Sequence, residues 1–113
     1  MKEFMLIFIG EDPTGKQFSP DQMQAQMAKW MSWIDDLKSK GSYVDGKPLT
    51  PAAKTVKGKK PVVTDGPFAE SKEIVGGYFI VKANSLDEAA AIAKGCPDFE
   101  LGGAVEVREV MKM

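Results

Sequence analysis

Phe4-Met5-Leu6-Ile7-Phe8-Ile9 is a six-residue run of apolar, aromatic and β-branched residues closed by Gly10 and the turn-rich Glu11-Asp12-Pro13-Thr14-Gly15. It reads as a β-strand without a polar face. Ile74 to Val81 is a second strand of this kind, interrupted only by Gly76-Gly77, where a missing side chain permits a bulge or a close approach. A strand apolar on both faces must be covered on both. Each therefore belongs in the middle of a sheet, with helices on one side and a second subunit or a ligand cavity on the other.

The segments around these strands fit that placement. Ser19-Pro20-Asp21-Gln22 supplies an N-cap, a Pro at the first helical position and a Gln three residues after the cap, so a helix is expected from there to about Lys40, before Gly41. Met23, Met27, Trp30, Met31, Ile34 and Leu37 recur at steps of three and four and form its expected core stripe, with Trp33 off that stripe. Tyr43-Val44 is strand-like but runs into Asp45-Gly46 and a Pro-rich connection. Thr55-Val56-Lys57 and Pro61-Val62-Val63-Thr64 flank Gly58-Lys59-Lys60 as a short hairpin. Ser85-Leu86-Asp87-Glu88 opens a short Ala-rich helix that Cys96-Pro97 ends, and Ala104 to Val110 alternates as a half-polar edge strand.

The order β-α-β-(hairpin)-β-α-β implies an α+β fold: a ferredoxin-like split βαβ sandwich with an inserted β-hairpin and an antiparallel sheet, in one domain over residues 1–113. In that topology the two doubly apolar strands are central.

The 113 residues carry 15 Lys+Arg against 16 Asp+Glu, so there is no global basic field for nucleic acid. The absence of His removes His-based triads and His metal sites, and a single Cys excludes an internal disulfide and any Cys-pair metal site. No metal and no cofactor is expected, and glycine-rich phosphate fingerprints are absent. No apolar run approaches a membrane span and the N-terminus lacks a secretory h-region, which makes a cytoplasmic location the default and a membrane partner unexpected.

Three segments are candidates for chemistry. In Asp65-Gly66-Pro67-Phe68-Ala69-Glu70-Ser71-Lys72-Glu73 either Asp65 is a carboxylate base or ligand anchor with Phe68 beside a pocket and Glu70, Lys72 and Glu73 at its mouth, or the segment is a tight turn with Phe68 plugging the core. Glu106 and Arg108 share a strand face opposite Val105 and Val107; the pair either binds an anionic ligand or forms an edge salt bridge. Trp33 is a candidate for a pocket or an interface. Lys54, Lys57, Lys59 and Lys60 crowd the hairpin without interleaved aromatics, which reads as edge protection.

The Asp65–Glu73 string followed by Gly76-Gly77-Tyr78 resembles the signature of the YCII-related family, in its DGPF-domain branch. Phe4-Met5-Leu6, Ser19-Pro20, Cys96-Pro97 and Gly102 to Arg108 extend the resemblance over nearly the whole chain. It implies a subunit that forms a homodimer through its open sheet face, as a dimeric α/β barrel. Members of this branch are mostly without an assigned reaction, and some are encoded beside extracytoplasmic-function sigma factors. Elsewhere in the superfamily a His-Asp pair is the proposed catalytic element, and this chain keeps only the Asp. Two readings follow. In one, a cofactor-free enzyme carries out proton transfer, isomerisation or elimination on a small phenol, lactone or enol in a cavity on the sheet face, with Asp65 as base, Tyr78 as proton donor and Arg108 as electrostatic stabiliser. In the other, the same cavity holds a small ligand without turnover, in an accessory or regulatory protein.

Overall fold

In the computed structural model residues 1–11, 18–67 and 73–113 are described. The chain forms β1 (Lys2–Glu11), α1 (Pro20–Ser39), β2 (Tyr43–Pro48), β3 (Lys54–Lys57), β4 (Val62–Asp65), β5 (Glu73–Ala83), α2 (Leu86–Ala93), a short 3₁₀ helix (Pro97–Leu101) and β6 (Ala104–Glu109). α1 begins where its capping signals place it: the Ser19 hydroxyl accepts from the Gln22 backbone N–H at 3.1 Å, and the Gln22 side chain accepts from the Ser19 N–H at 2.9 Å. At α2 the Ser85 hydroxyl accepts from the Glu88 N–H at 3.1 Å.

Four strands make one sheet in the order β2-β5-β1-β6, with β1 antiparallel to both of its neighbours and β5 antiparallel to β2. The doubly apolar β1 and β5 are central and β2 and β6 are edges, the ferredoxin-like arrangement. The β3-β4 hairpin is a separate two-stranded sheet. The expected barrel does not form. The sheet stays open at β2 and β6, and among the described residues no pairing closes it. The apolar second face of β1 and β5 demanded a cover at the sequence level; in the chain, Met5, Ile7, Ile9, Tyr78 and Ile80 lie side by side on that face and are each half-buried.

Register separates the two faces. Phe4, Leu6 and Phe8 of β1 stand beside Val81, Phe79 and Gly77 of β5 and beside Glu109, Val107 and Val105 of β6. Both helices cover this face, where Trp33 and Leu37 of α1 and Ala89 and Ala93 of α2 join the strand residues in one core. Phe4, Leu6 and Val81 are wholly buried, each contributing roughly 1.5–3 kcal/mol from removal of its side chain from water. The small side chains of α2 allow that helix to lie close to the strands.

α1 meets the sheet by a narrower stripe than its periodicity predicts. Trp33 and Leu37 are buried and Trp30 and Ile34 are half-buried, whereas Met23, Met27 and Met31 are 62%, 62% and 48% exposed. The two indoles are the largest side chains on the helix; they take the deep positions and displace the methionines outward. Trp33, off the expected stripe, is therefore core.

β2 also departs from expectation, continuing as strand through Asp45-Gly46 and on to Pro48. A register shift between Tyr43 and Asp45 brings Gly46 opposite Phe79. A Cβ built on Gly46 would lie 2.4 Å from Phe79 Cδ1 and 2.8 Å from the Tyr78 carbonyl oxygen, so only glycine lets the edge strand cross the Phe79 ring. Pro48, on an edge strand, is tolerated.

Two predictions follow from this packing. Gly46→Ala should lower stability by about 1–3 kcal/mol through overpacking against Phe79, measured by urea unfolding; an unchanged midpoint would refute the close crossing. Cys96 is buried, and burial, aided by the Asp98 carboxylate and partly offset by the Asp98 backbone N–H, pushes its thiol up to about 11. The folded chain thus keeps the thiol proton to higher pH than the unfolded chain. The associated stability is fully present below about pH 8.5, the ordinary thiol value, and is lost as pH rises through the folded value. Wild-type Tm should fall more steeply than that of Cys96→Ala between about pH 9 and 11, and parallel curves would contradict the assignment.

Candidate functional site

The aromatic residues that hold α1 to the sheet also wall a cavity. Phe8 meets Trp30 and Phe79 edge to face at ring-centroid distances of 4.9 Å, and Trp30 meets Phe79 at 5.6 Å. Beyond these three rings, toward the end of the sheet where β1 and β2 finish and β5 begins, lies a space of about 560 Å³. Met27, Met31 and Ile34 of α1 form its helix side; Leu49, Pro51 and Ile74 lie across from them, and Phe18 closes toward the start of the helix. The outward methionines are thus the flexible wall of a hollow, a use to which an unbranched thioether side chain is suited.

Glu11, Lys47 and Asp98 are the charged residues that line the space. Asp98 sits in the 3₁₀ helix, half-buried, and its Oδ1 accepts hydrogen bonds from Gln26 Nε2 at 3.0 Å and Trp30 Nε1 at 3.2 Å. Together with the Lys29–Glu100 ion pair these contacts tie α1 to the 3₁₀ helix. Lys47 also lines the space, but register sets its side chain beside Tyr78 on the opposite face of the sheet. A second hollow, of about 600 Å³, lies at the foot of the hairpin between Leu49–Ala53, Pro67 and Glu73–Val75. It has no aromatic wall among the described residues.

The residues singled out in the sequence fall in three places. Asp65 ends β4, pairs with Lys54 at 3.6 Å across the hairpin and has a side chain 92% exposed. The Thr55 hydroxyl donates to the Gly66 carbonyl and the Gly66 N–H donates to Ala53, so the start of the Asp65-Gly66-Pro67 segment is tied back to the hairpin as a turn. Phe68, Glu70 and Lys72 lie outside the described residues. Tyr78, Glu106 and Arg108 are together on the open sheet face: Ile7 separates Tyr78 from Glu106, and Met5 separates Ile80 from Arg108. Trp33 is 8% exposed and packs in the core against Phe79 and Gly95.

Tyr43 lies on the helix-covered face, its ring 5.3 Å from that of Phe79 and under the Lys38 ammonium at 5.6 Å. Burial first, and then the negative charge of Asp45 and the proximity of Tyr78, raise its phenol above the ordinary value. Among the described residues no cluster of acidic or sulfur side chains has the geometry to hold a metal ion, and no helix is long and apolar enough to cross a membrane. Sequence reasoning passed over Asp98. The only local signal was a carboxylate directly after Cys96-Pro97; its partners are on α1, 68 and 72 residues away.

A chain similar in structure is the 5-chloro-2-hydroxyhydroquinone dehydrochlorinase TftG from Burkholderia phenoliruptrix AC1100, solved with 2,5-dihydroxybenzoquinone. It is 17% identical, the match covers 98% of this chain and 95% of that one, and the TM-score is 0.48. A candidate amidohydrolase/peptidase from Burkholderia cenocepacia is 13% identical over 97% of this chain and 27% of that chain, with a TM-score of 0.36. Among curated proteins none matches. The model of the YCII-related domain matches residues 4–113, and the chain belongs to the YCII-related family.

Proposed function

We propose that the protein acts on or holds a small, largely apolar ring-bearing molecule, of the phenol, lactone or enol class, in the cavity between α1 and the sheet. The observation that carries this reading is the space of about 560 Å³ walled by Phe8, Trp30 and Phe79. Its volume is in the range of small-molecule sites, and its make-up, mostly apolar with a few placed polar groups, is theirs too. The three rings pack edge to face on one another, so the wall is rigid and offers aromatic faces and edges to a planar guest. The proton-transfer roles of Asp65 and Tyr78 require those side chains at the ligand. Asp65 is on the exposed hairpin and Tyr78 on the far face of the sheet, so the geometry supports ligand holding in this cavity ahead of proton transfer by that pair.

A second reading concerns the open face. Its apolar centre is flanked on β6 by Glu106 and Arg108 and on β2 by Asp45 and Lys47, one acid and one base on each edge. That pattern is self-complementary under a two-fold axis, and we propose that two copies associate through it, with Arg108 and Glu106 setting register across the contact.

The neutral fluorescent probe N-phenyl-1-naphthylamine should bind the wild type saturably at one site. Met31→Glu, at an exposed position that tolerates a charge, should weaken it at least about tenfold by placing a carboxylate in the apolar wall. Absence of saturable binding, or unchanged affinity in Met31→Glu, would rule out the cavity. For the open face, light scattering at micromolar concentration should report a dimer that Ile7→Glu converts to monomer; a monomeric wild type would dismiss the association.

A further inference from the structure

We propose that Asp98 selects the ligand of this cavity by accepting a hydrogen bond from a ligand hydroxyl, so that neutral hydroxyl-bearing rings are held and ring carboxylates are refused. The inference rests on the cavity assigned above and adds the chemistry that the site recognises.

Three observations converge on Asp98. It lines the cavity beside the Trp30 ring, so a hydroxyl that reaches the carboxylate leaves its own ring against an aromatic wall. Both intramolecular donors, Gln26 Nε2 and Trp30 Nε1, reach the same oxygen, Oδ1. An ionised carboxylate accepts at about four lone-pair positions, and among the described residues no donor is assigned to Oδ2. Gln26 and Trp30 are one turn apart on α1 and grip the carboxylate from one side, which fixes its orientation before a ligand arrives. A group held in this way loses little freedom on binding, the condition under which a polar anchor gives specificity.

Charge sets the direction of the preference. A ligand carboxylate beside Asp98 would place two like charges in a partly desolvated, apolar hollow, an arrangement avoided unless one of them is protonated. A phenolic O–H has no such penalty and donates to an ionised acceptor, which is stronger than a neutral pairing. A methyl ether has the same ring and no donor, and it would cover Oδ2 without pairing it.

Asp98 also ties α1 to the 3₁₀ helix, and a purely structural role would produce the same two intramolecular bonds. Ligand preference separates the roles. The experiment is displacement of N-phenyl-1-naphthylamine from wild type and Asp98→Asn by 4-propylphenol, 4-propylanisole and 4-propylbenzoate. In the wild type 4-propylphenol should displace the probe at least about tenfold more effectively than 4-propylanisole, and 4-propylbenzoate should be the weakest. In Asp98→Asn, whose amide oxygen can still accept from Gln26 and Trp30, the phenol preference should shrink to a few-fold and the benzoate should gain. Equal displacement by phenol and anisole in the wild type would overturn the proposal while leaving the cavity in place, and this comparison requires no variant. So would an Asp98→Asn protein that melts lower yet keeps the wild-type ratios among the three ligands. If the probe does not bind at all, the cavity itself is refuted and the proposal with it.

Discussion

The structure depends on the contact of one side chain, the Phe79 ring, with its surroundings. It lies on the helix-covered face of the central strand β5 and meets Phe8 of the other central strand, Trp30 and Trp33 of α1 and Tyr43 of the edge strand β2. One ring thus links both central strands, the long helix and an edge. Edge-to-face aromatic pairs add about 0.5–1.5 kcal/mol each beyond the area they bury, and a hub that makes several is costly to disturb. Two features of the fold follow from its presence. β2 can cross it only at a glycine, Gly46, and α1 must turn its two indoles inward, which sends its methionines outward.

That arrangement also creates the cavity. Trp30 and Phe8 extend the aromatic cluster toward the end of the sheet, and past them, among the described residues, no large side chain fills the gap between α1 and the start of β5, where Gly76 and Gly77 fall among the lining residues. The core and the candidate site are therefore one aromatic layer, packed on one side and open on the other. Asp98 joins it through the Trp30 indole N–H. The only polar atom of that ring is thus satisfied at the boundary between core and hollow, as a buried or half-buried indole requires.

Much of the architecture was legible because it depends on local pattern. The doubly apolar runs of β1 and β5 pointed to central strands, the Ser19 and Ser85 caps to helix starts, and the alternation in β6 put Glu106 and Arg108 on one face, opposite Val105 and Val107, and the sheet turns that charged face toward its open side. What escaped was decided by residues far apart in the chain. Asp45-Gly46 reads as a turn until Phe79, from another strand, is seen beneath Gly46. The methionine stripe reads as core until two tryptophans compete for the same depth. The barrel was an expectation from the family resemblance, whereas the sheet remains open at β2 and β6, and neighbouring strands leave the residues of its second apolar face half-buried. The Asp65 segment drew attention by its density of charge, yet its first residues are a turn bound to the hairpin. Asp98 drew none, because a lone carboxylate gains meaning only from the helix that grips it.

The central claim is that the aromatic layer around Phe79 opens into a ligand site on the Trp30 and Asp98 side. The chain has two tryptophans, and their indole N–H groups give separate NMR signals, which Trp30→Phe assigns. On titration with 4-propylphenol the account predicts that the Trp30 indole signal shifts saturably, while the Trp33 indole, buried in the core, and the amides of Tyr78 and Arg108 on the open face hardly move. A Trp30 signal that stays fixed while the open-face amides shift would contradict it and place the ligand on the other side of the sheet.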